Sequence, residues 1–310
     1  MVAIKVKSAV LRIEHARPSS FAAKPRCPVC DGCNERRLLP ASAYVYALCP
    51  SCGHGKLQDS PPQGILDTLY DESYFEHAAN AGYAGYESDA VLHHRNAMDR
   101  LARLAAAGAR PPGRMLDFGC ASGVFLDAAR AAGYEVVGVD VSHWARARAA
   151  SRGIMVYESL AAAMATHGRD FEVVCFFQSL EHLHDPLLTL TEARSCLRPG
   201  GTLIIETWDR TSLIARLSRH YWQQLSPPSV VHLFSKASLA QALERTGFTA
   251  CTIRATSKRV SLRFVSTLLA NKYPPLNAQL RWIAESWIGR LSVPYRLGDL
   301  ITVCATTRNK

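Results

Sequence analysis

Two short segments of this 310-residue chain carry residue types at spacings that do chemistry. The first is Cys27-Pro-Val-Cys30 followed, eighteen residues on, by Cys49-Pro-Ser-Cys52. Two Cys separated by two residues grip one metal from a tight knuckle, and two such knuckles complete a tetrahedral thiolate shell. The spacing is that of a zinc ribbon. Four protein ligands leave no open coordination position, so the expected zinc is structural. Cys33 and His54 stand close enough in sequence to replace one ligand. The second segment is Leu116-Asp117-Phe118-Gly119-Cys120-Ala121-Ser122-Gly123, read as a strand-to-helix turn. Small residues there let the backbone approach a ligand at a helix N-terminus. Twenty-one residues after Gly119 comes Asp140, ending the next strand, where a carboxylate accepts both hydroxyls of a ribose. Alone, this pair signals a nucleoside-like cofactor and fits NAD as well as S-adenosylmethionine.

The elements that must hold these residues begin at Arg114. Strands are expected over 115–119, 135–140, 154–157, 171–178 and 202–206, separated by helices over 122–133, 142–152 and from Asp185 to about Cys196. Asp185 reads as an N-cap with Pro186 at the first helical position. FEVVCFFQ is apolar on both faces, as a central strand of a parallel sheet is. The alternation predicts an α/β fold: a doubly wound, Rossmann-like sheet with helices on both faces. A further helix, 235–247, starts at Ser235 and stops at Gly247, and 297–307 alternates like a closing strand. Four units follow: a basic arm (1–26), the ribbon (27–55), a helical lead-in or substrate cap (65–110) and the main domain (111–310). Residues 255–296 give no clear pattern, although 278–291 has apolar residues at helical spacing.

Composition narrows the class. An apolar fraction of 48% with 20% charged residues excludes wholesale disorder. The net charge of +10 is uneven: residues 1–40 hold eight bases against three acids, and 251–310 hold ten against two. Basic ends suit an anionic partner, although Arg and Ala richness explains them equally well. The first twenty residues break every apolar run with Lys, Arg or Glu, and no stretch reaches the about 18 uncharged apolar residues of a spanning helix. A cytoplasmic chain is expected. The remaining Cys, such as Cys120 and Cys175, sit singly in apolar surroundings and read as inert core thiols.

The ordered set D-x-G-C-A-S-G, GVD, FEVVCFFQSLEHLHDP and LRPGGTLIIET resembles the motif series of class I S-adenosylmethionine-dependent methyltransferases, over roughly residues 70–310. It follows the small-molecule branch, with Tyr74–Phe75 and Gly85–Tyr86 before the first strand, Glu181 to Pro186 after the fourth, and Trp222, Pro228, His232, Phe234 and Ser235 after the fifth. Ala121 departs from the commoner Gly. The resemblance implies that Asp117, Gly119, Ala121 and Gly123 cradle S-adenosylmethionine, with Asp117 and Gly119 at its methionine end. It further implies Asp140 on the ribose, Ser159 facing the adenine, and Gln178 and Ser179 beside the sulfonium. His182 and His232 stand where that branch keeps active-site groups, and either is a candidate general base for an oxygen acceptor. The stretch 212–225, with Leu213, Leu217, Tyr221 and Trp222 near one face, falls where the branch has a substrate lid.

The implied activity is O- or C-methylation of a small glycosyl, lipid-linked or secondary-metabolite acceptor, with anionic and carrier-linked acceptors among those expected. Two rivals are a ribbon-bearing ribosomal RNA methyltransferase, which the basic ends would suit, and a non-enzymatic cofactor-binding scaffold. The amphipathic 278–291, with Arg at its edges, reads as a core or homodimer face, as a substrate wall or as a peripheral membrane helix.

Overall fold

A computed structural model describes residues 26–32, 37–77, 82–83, 85–272 and 274–307. Cys33 and the basic arm, Arg26 apart, lie outside them. Strands β1 (Arg37–Ala41), β2 (Tyr44–Leu48) and β3 (Gly55–Leu57) form an antiparallel meander behind the first Cys knuckle. Short helices α1 (Gln63–Asp67) and α2 (Glu72–Glu76) precede a 3-10 turn (Glu87–Asp89) and the long α3 (Ala90–Ala106) in the stretch expected to be a helical lead-in.

The α/β body runs β4 (Gly113–Phe118), α4 (Val124–Ala131), β5 (Tyr134–Val139), α5 (His143–Ser151), β6 (Val156–Tyr157), α6 (Leu160–His167), β7 (Phe171–Phe177), α7 (Pro186–Cys196) and β8 (Leu197–Trp208). Asp185 caps α7 by accepting from the Leu188 N–H, with Pro186 first in the helix, as the sequence predicts. There follow α8 (Leu213–Ser218), β9 (His232–Leu233), α9 (Lys236–Arg245), β10 (Phe248–Ala255), β11 (Lys258–Ser261), α10 (Leu262–Lys272), α11 (Asn277–Glu285), β12 (Ser292–Tyr295) and β13 (Leu300–Thr307). Ser235 caps α9 in a reciprocal capping box with Ser238.

The central sheet has the order β10-β13-β8-β7-β4-β5-β6. The five strands from β8 to β6 are parallel; β13 runs antiparallel to both β8 and β10. The chain winds outward from β4 through β5 to β6, then restarts on the other side at β7. The switch point therefore lies between β4 and β7, where a doubly wound sheet opens a crevice at its strand ends. Val173, Val174, Cys175 and Phe176 of β7 are fully buried, which is why that strand carries no polar face.

Two features escape a local reading. First, β9 pairs with β3, Gly55 opposite Leu233 and Lys56 opposite His232, so a strand of the body completes the ribbon's sheet. Cys27, Cys49 and Cys52 share one apolar cluster with Phe234, Leu239 and Leu243. Second, residues 258–295 fold as the two-stranded β11–β12 ladder with α10 and α11 between its strands. The helix expected over 278–291 ends at Glu285, and a separate 3-10 turn follows over Trp287–Arg290. Among the described residues no helix is long and apolar enough to cross a membrane.

Candidate functional site

A cavity of about 590 Å³ opens at the crevice. Its floor is the turn after β4. Gly119 has φ +76, and a Cβ there would lie 2.6 Å from Ser179 Cβ, so only glycine lets the two strand ends close up. Ser179 Oγ donates to the Phe118 carbonyl at 2.6 Å and ties the end of β7 to that of β4. Ala121, also at positive φ, donates its N–H to Asp140 Oδ2 at 2.9 Å, and the Ser142 N–H donates to Asp140 Oδ1 at 2.9 Å. Each Asp140 oxygen keeps a lone pair for a further donor. Burial pushes this carboxyl up to about 6, against the pull of those two N–H groups.

Asp117, at the end of β4, is 3% exposed, and its Oδ1 has no hydrogen-bond partner among the described residues. Burial pushes it up to about 8, with Arg100 opposing and Asp140 adding to the rise. Gly123, with φ +79, is the N-cap of α4. Ser159 is elsewhere: its side chain caps α6 by accepting from the Ala162 N–H, and it does not line the cavity.

The rest of the lining is aromatic and cationic. Tyr70, Tyr74, Tyr83 and Tyr86 belong to it, with Trp222 anchored by its indole N–H on Asp299 at 2.9 Å. Beneath them Glu206, 1% exposed, accepts from Arg100 at 2.5 Å, Arg103 at 3.1 Å and Gln178 Nε2 at 3.0 Å. Lys258 donates to Gln178 Oε1 at 2.7 Å and lies 4.8 Å above the Trp208 ring. Burial pushes the Lys258 amine down to about 8, while Glu206 resists that fall. Asn96 holds the strand carrying Lys258 against α3 by exchanging two amide hydrogen bonds with the Arg259 backbone, at 2.9 and 2.8 Å. Sequence reasoning missed Arg100, Glu206 and Lys258. The one local signal was Glu206, a charge ending the apolar run TLIIE.

The two candidate histidines part company. His182 lines the cavity, and its Nδ1 lies 2.7 Å from the Ser229 carbonyl. A carbonyl only accepts, so Nδ1 carries the proton and Nε2 keeps a lone pair. His232 does not line the cavity. It sits in β9, its Nε2 donating to the His184 carbonyl at 3.3 Å and its Nδ1 accepting from His54 Nε2 at 3.0 Å. Burial pushes it down to about 3, so it stays neutral as a staple between ribbon and body. Glu181 Oε2 accepts from Thr207 at 2.9 Å, and the Glu181 carbonyl receives the Val231 N–H at 2.9 Å.

Away from the cavity, the Sγ atoms of Cys27, Cys30, Cys49 and Cys52 all lie within 4.8 Å of one another. His54 is not in that group and bonds His232 instead.

Comparison with known proteins agrees with this geometry. A methyltransferase domain family matches residues 91–253. A ubiquinone biosynthesis O-methyltransferase of Xanthomonas campestris pv. campestris is 32% identical over 159 residues, 47% of this chain and 66% of that protein. The namesake from Sinorhizobium fredii is 30% identical over 154 residues, 43% and 62% of the two chains. The chain thus spans somewhat under two thirds of these curated relatives. Among solved structures, YcgJ of Bacillus subtilis superposes with TM-score 0.51 at 15% identity, over 70% of this chain and all of that one. The plantazolicin methyltransferase BamL gives 0.50 at 13%, over 80% and 99%. These two structures share the fold. The family match covers more than half of the chain, which belongs to the methyltransferase domain family with a class I, S-adenosylmethionine-type architecture.

Proposed function

We propose that the protein transfers a methyl group from S-adenosylmethionine to an oxygen of a small-molecule acceptor, with His182 as general base. The observation that carries this reading is the pair of carboxylates at the turn. Asp117 is buried with an oxygen unpartnered among the described residues, and Asp140 has a spare lone pair on each oxygen. A cationic methionine end suits Asp117, and ribose hydroxyls suit Asp140. The pyrophosphate of a dinucleotide would meet the charge of Asp140 there and gain nothing from Asp117, whose burial favours the protonated form. When bound, S-adenosylmethionine supplies an activated methyl group for in-line displacement; the protein has to align, dry and deprotonate.

Each task has its residues. Gly119 and Ser179 bring the ends of β4 and β7 together and fix where a reactive centre can sit. The tyrosine wall excludes water. His182 Nε2 takes the acceptor's proton while Nδ1 stays on Ser229. Lys258, held on Gln178, puts a positive charge beside the developing oxyanion. In the ribbon, four thiolates within one tetrahedral span suit a structural zinc, for which Zn–S distances of about 2.3 Å set S···S edges near 3.8 Å. Two of the pairs, Cys27–Cys52 and Cys30–Cys49, stand at 3.7 and 3.5 Å.

The test is a transfer screen with labelled S-adenosylmethionine against extract split into small-metabolite, lipid and RNA fractions. Label is expected in a low-molecular-weight or lipid product, and His182→Ala should lower turnover about 10²–10⁴-fold with cofactor affinity unchanged. Label only in RNA, or calorimetry showing tighter binding of NAD than of S-adenosylmethionine, would overturn the reading.

A further inference from the structure

Apolar side chains left in water normally occur singly. Here they gather on two elements that border the same cavity. On α8, Leu213 and Leu217 are each 71% exposed; on the helical insertion, Trp282 is 65% and Trp287 71% exposed. Leu291, Val293 and Leu297 continue that second patch at its C-terminal edge. Both elements reach the cavity. Ile214 and Ser218 of α8 line it, as do Leu268 and Val293 of the insertion. The exposed apolar residues therefore lie on two elements that also contribute to the cavity's lining.

The same insertion is basic. Residues 259–296 hold six Lys and Arg against the single acid Glu285. None of Arg259, Arg263, Arg281, Arg290 and Arg296 is within ion-pair distance of a carboxylate among the described residues. Two exposed Trp beside the exposed Arg281 and Arg290 are the chemistry of a helix lying in a bilayer interface, indoles at the headgroup level and guanidinium groups on lipid phosphates. A second copy of the chain fits poorly, because a two-fold interface would set this basic patch against itself.

We propose that α8 and the α10–α11 insertion seat the protein on an anionic lipid surface, with the mouth of the cavity turned to the bilayer. An amphiphilic acceptor would then reach His182 without crossing water, a corollary that rests on the function proposed above. The docking itself does not, and its test uses no methyl transfer.

The full chain is sedimented with vesicles of phosphatidylcholine alone or of equal parts phosphatidylcholine and phosphatidylglycerol. It should pellet with the anionic vesicles, release as salt is raised, and show a blue-shifted tryptophan emission on binding. The double variant Trp282→Ser, Trp287→Ser should bind about tenfold more weakly, as loss of two interfacial indoles predicts. Arg281→Glu with Arg290→Glu should weaken binding to the anionic vesicles alone. Unchanged S-adenosylmethionine affinity in both variants would show that the body is still folded. No pelleting with either vesicle, equal pelleting with both, or undiminished binding by the double Trp variant would overturn the proposal. So would light scattering that finds a wild-type dimer broken by the Trp substitutions.

Discussion

The two walls of the cavity are built by different rules. The wall proposed to hold the cofactor is local: Asp117, Gly119, Ala121 and Asp140 lie within twenty-four residues, and Asp140 is held by backbone N–H groups of the adjoining turns. The wall proposed to face the acceptor is assembled from afar. Arg100 from α3 and Gln178 from the end of β7 donate to the buried Glu206 carboxylate of β8, and Lys258 from the insertion joins them through Gln178. A wall made of adjacent turns tolerates loss of a side chain as a loss of ligand contacts. A wall made of distant charges loses its own structure.

The largest expected effect tests that contrast directly. Glu206→Gln leaves Arg100 and Arg103 without their counter-charge and should lower stability by about 3–5 kcal/mol, read from the urea midpoint at unchanged slope. Asp140→Ala should do the reverse. Unfolding should move little, while S-adenosylmethionine binding weakens by about 1.5–3 kcal/mol in calorimetry. Equal losses of stability in the two variants would erase the distinction between the walls.

The third prediction sharpens the cofactor wall through pH. Asp117 is raised from the ordinary carboxylate value of about 3.9 to about 8. Its contribution to stability is therefore full below about pH 4 and is lost progressively as pH rises to about 8. A cationic ligand pairs with the ionised form, so affinity for S-adenosylmethionine should climb over the same window, with proton release on binding. Asp117→Asn should abolish that proton release and weaken binding at pH 8; a pH-independent wild type would refute it.

The smallest effect concerns Ser159. As the cap of α6 it should cost about 1 kcal/mol of stability when changed to Ala, with ligand affinity unchanged. A marked fall in affinity would restore the adenine contact that the family resemblance implies.

Metal analysis completes the comparison at the ribbon. About one zinc per chain is expected, and because Cys27, Cys49 and Cys52 share their apolar cluster with Phe234 and Leu243, Cys49→Ser should also lower the melting temperature of the body. A ribbon that unfolds alone would instead leave that temperature unchanged.

The sequence by itself determined whatever depends on neighbours within a few residues. The β4 turn needed Gly119, α7 needed Asp185 and Pro186, α9 needed Ser235, and the apolar period of 171–178 announced a buried central strand. The two C-x2-C knuckles likewise carry their own spacing, and the structure brings all four sulfurs together. Only the tertiary structure decided which histidine faces the cavity. His182 and His232 looked equivalent as residues, and the pairing of β9 with β3 buried one while the Ser229 carbonyl oriented the other. It also decided that residues 258–295 fold as a ladder enclosing two helices and deliver Lys258 to Gln178, eighty positions away. The physical reason is range. Propensity, capping and turn geometry act over about one helical turn, whereas ion pairs and strand register join residues that the chain keeps far apart until the sheet has formed.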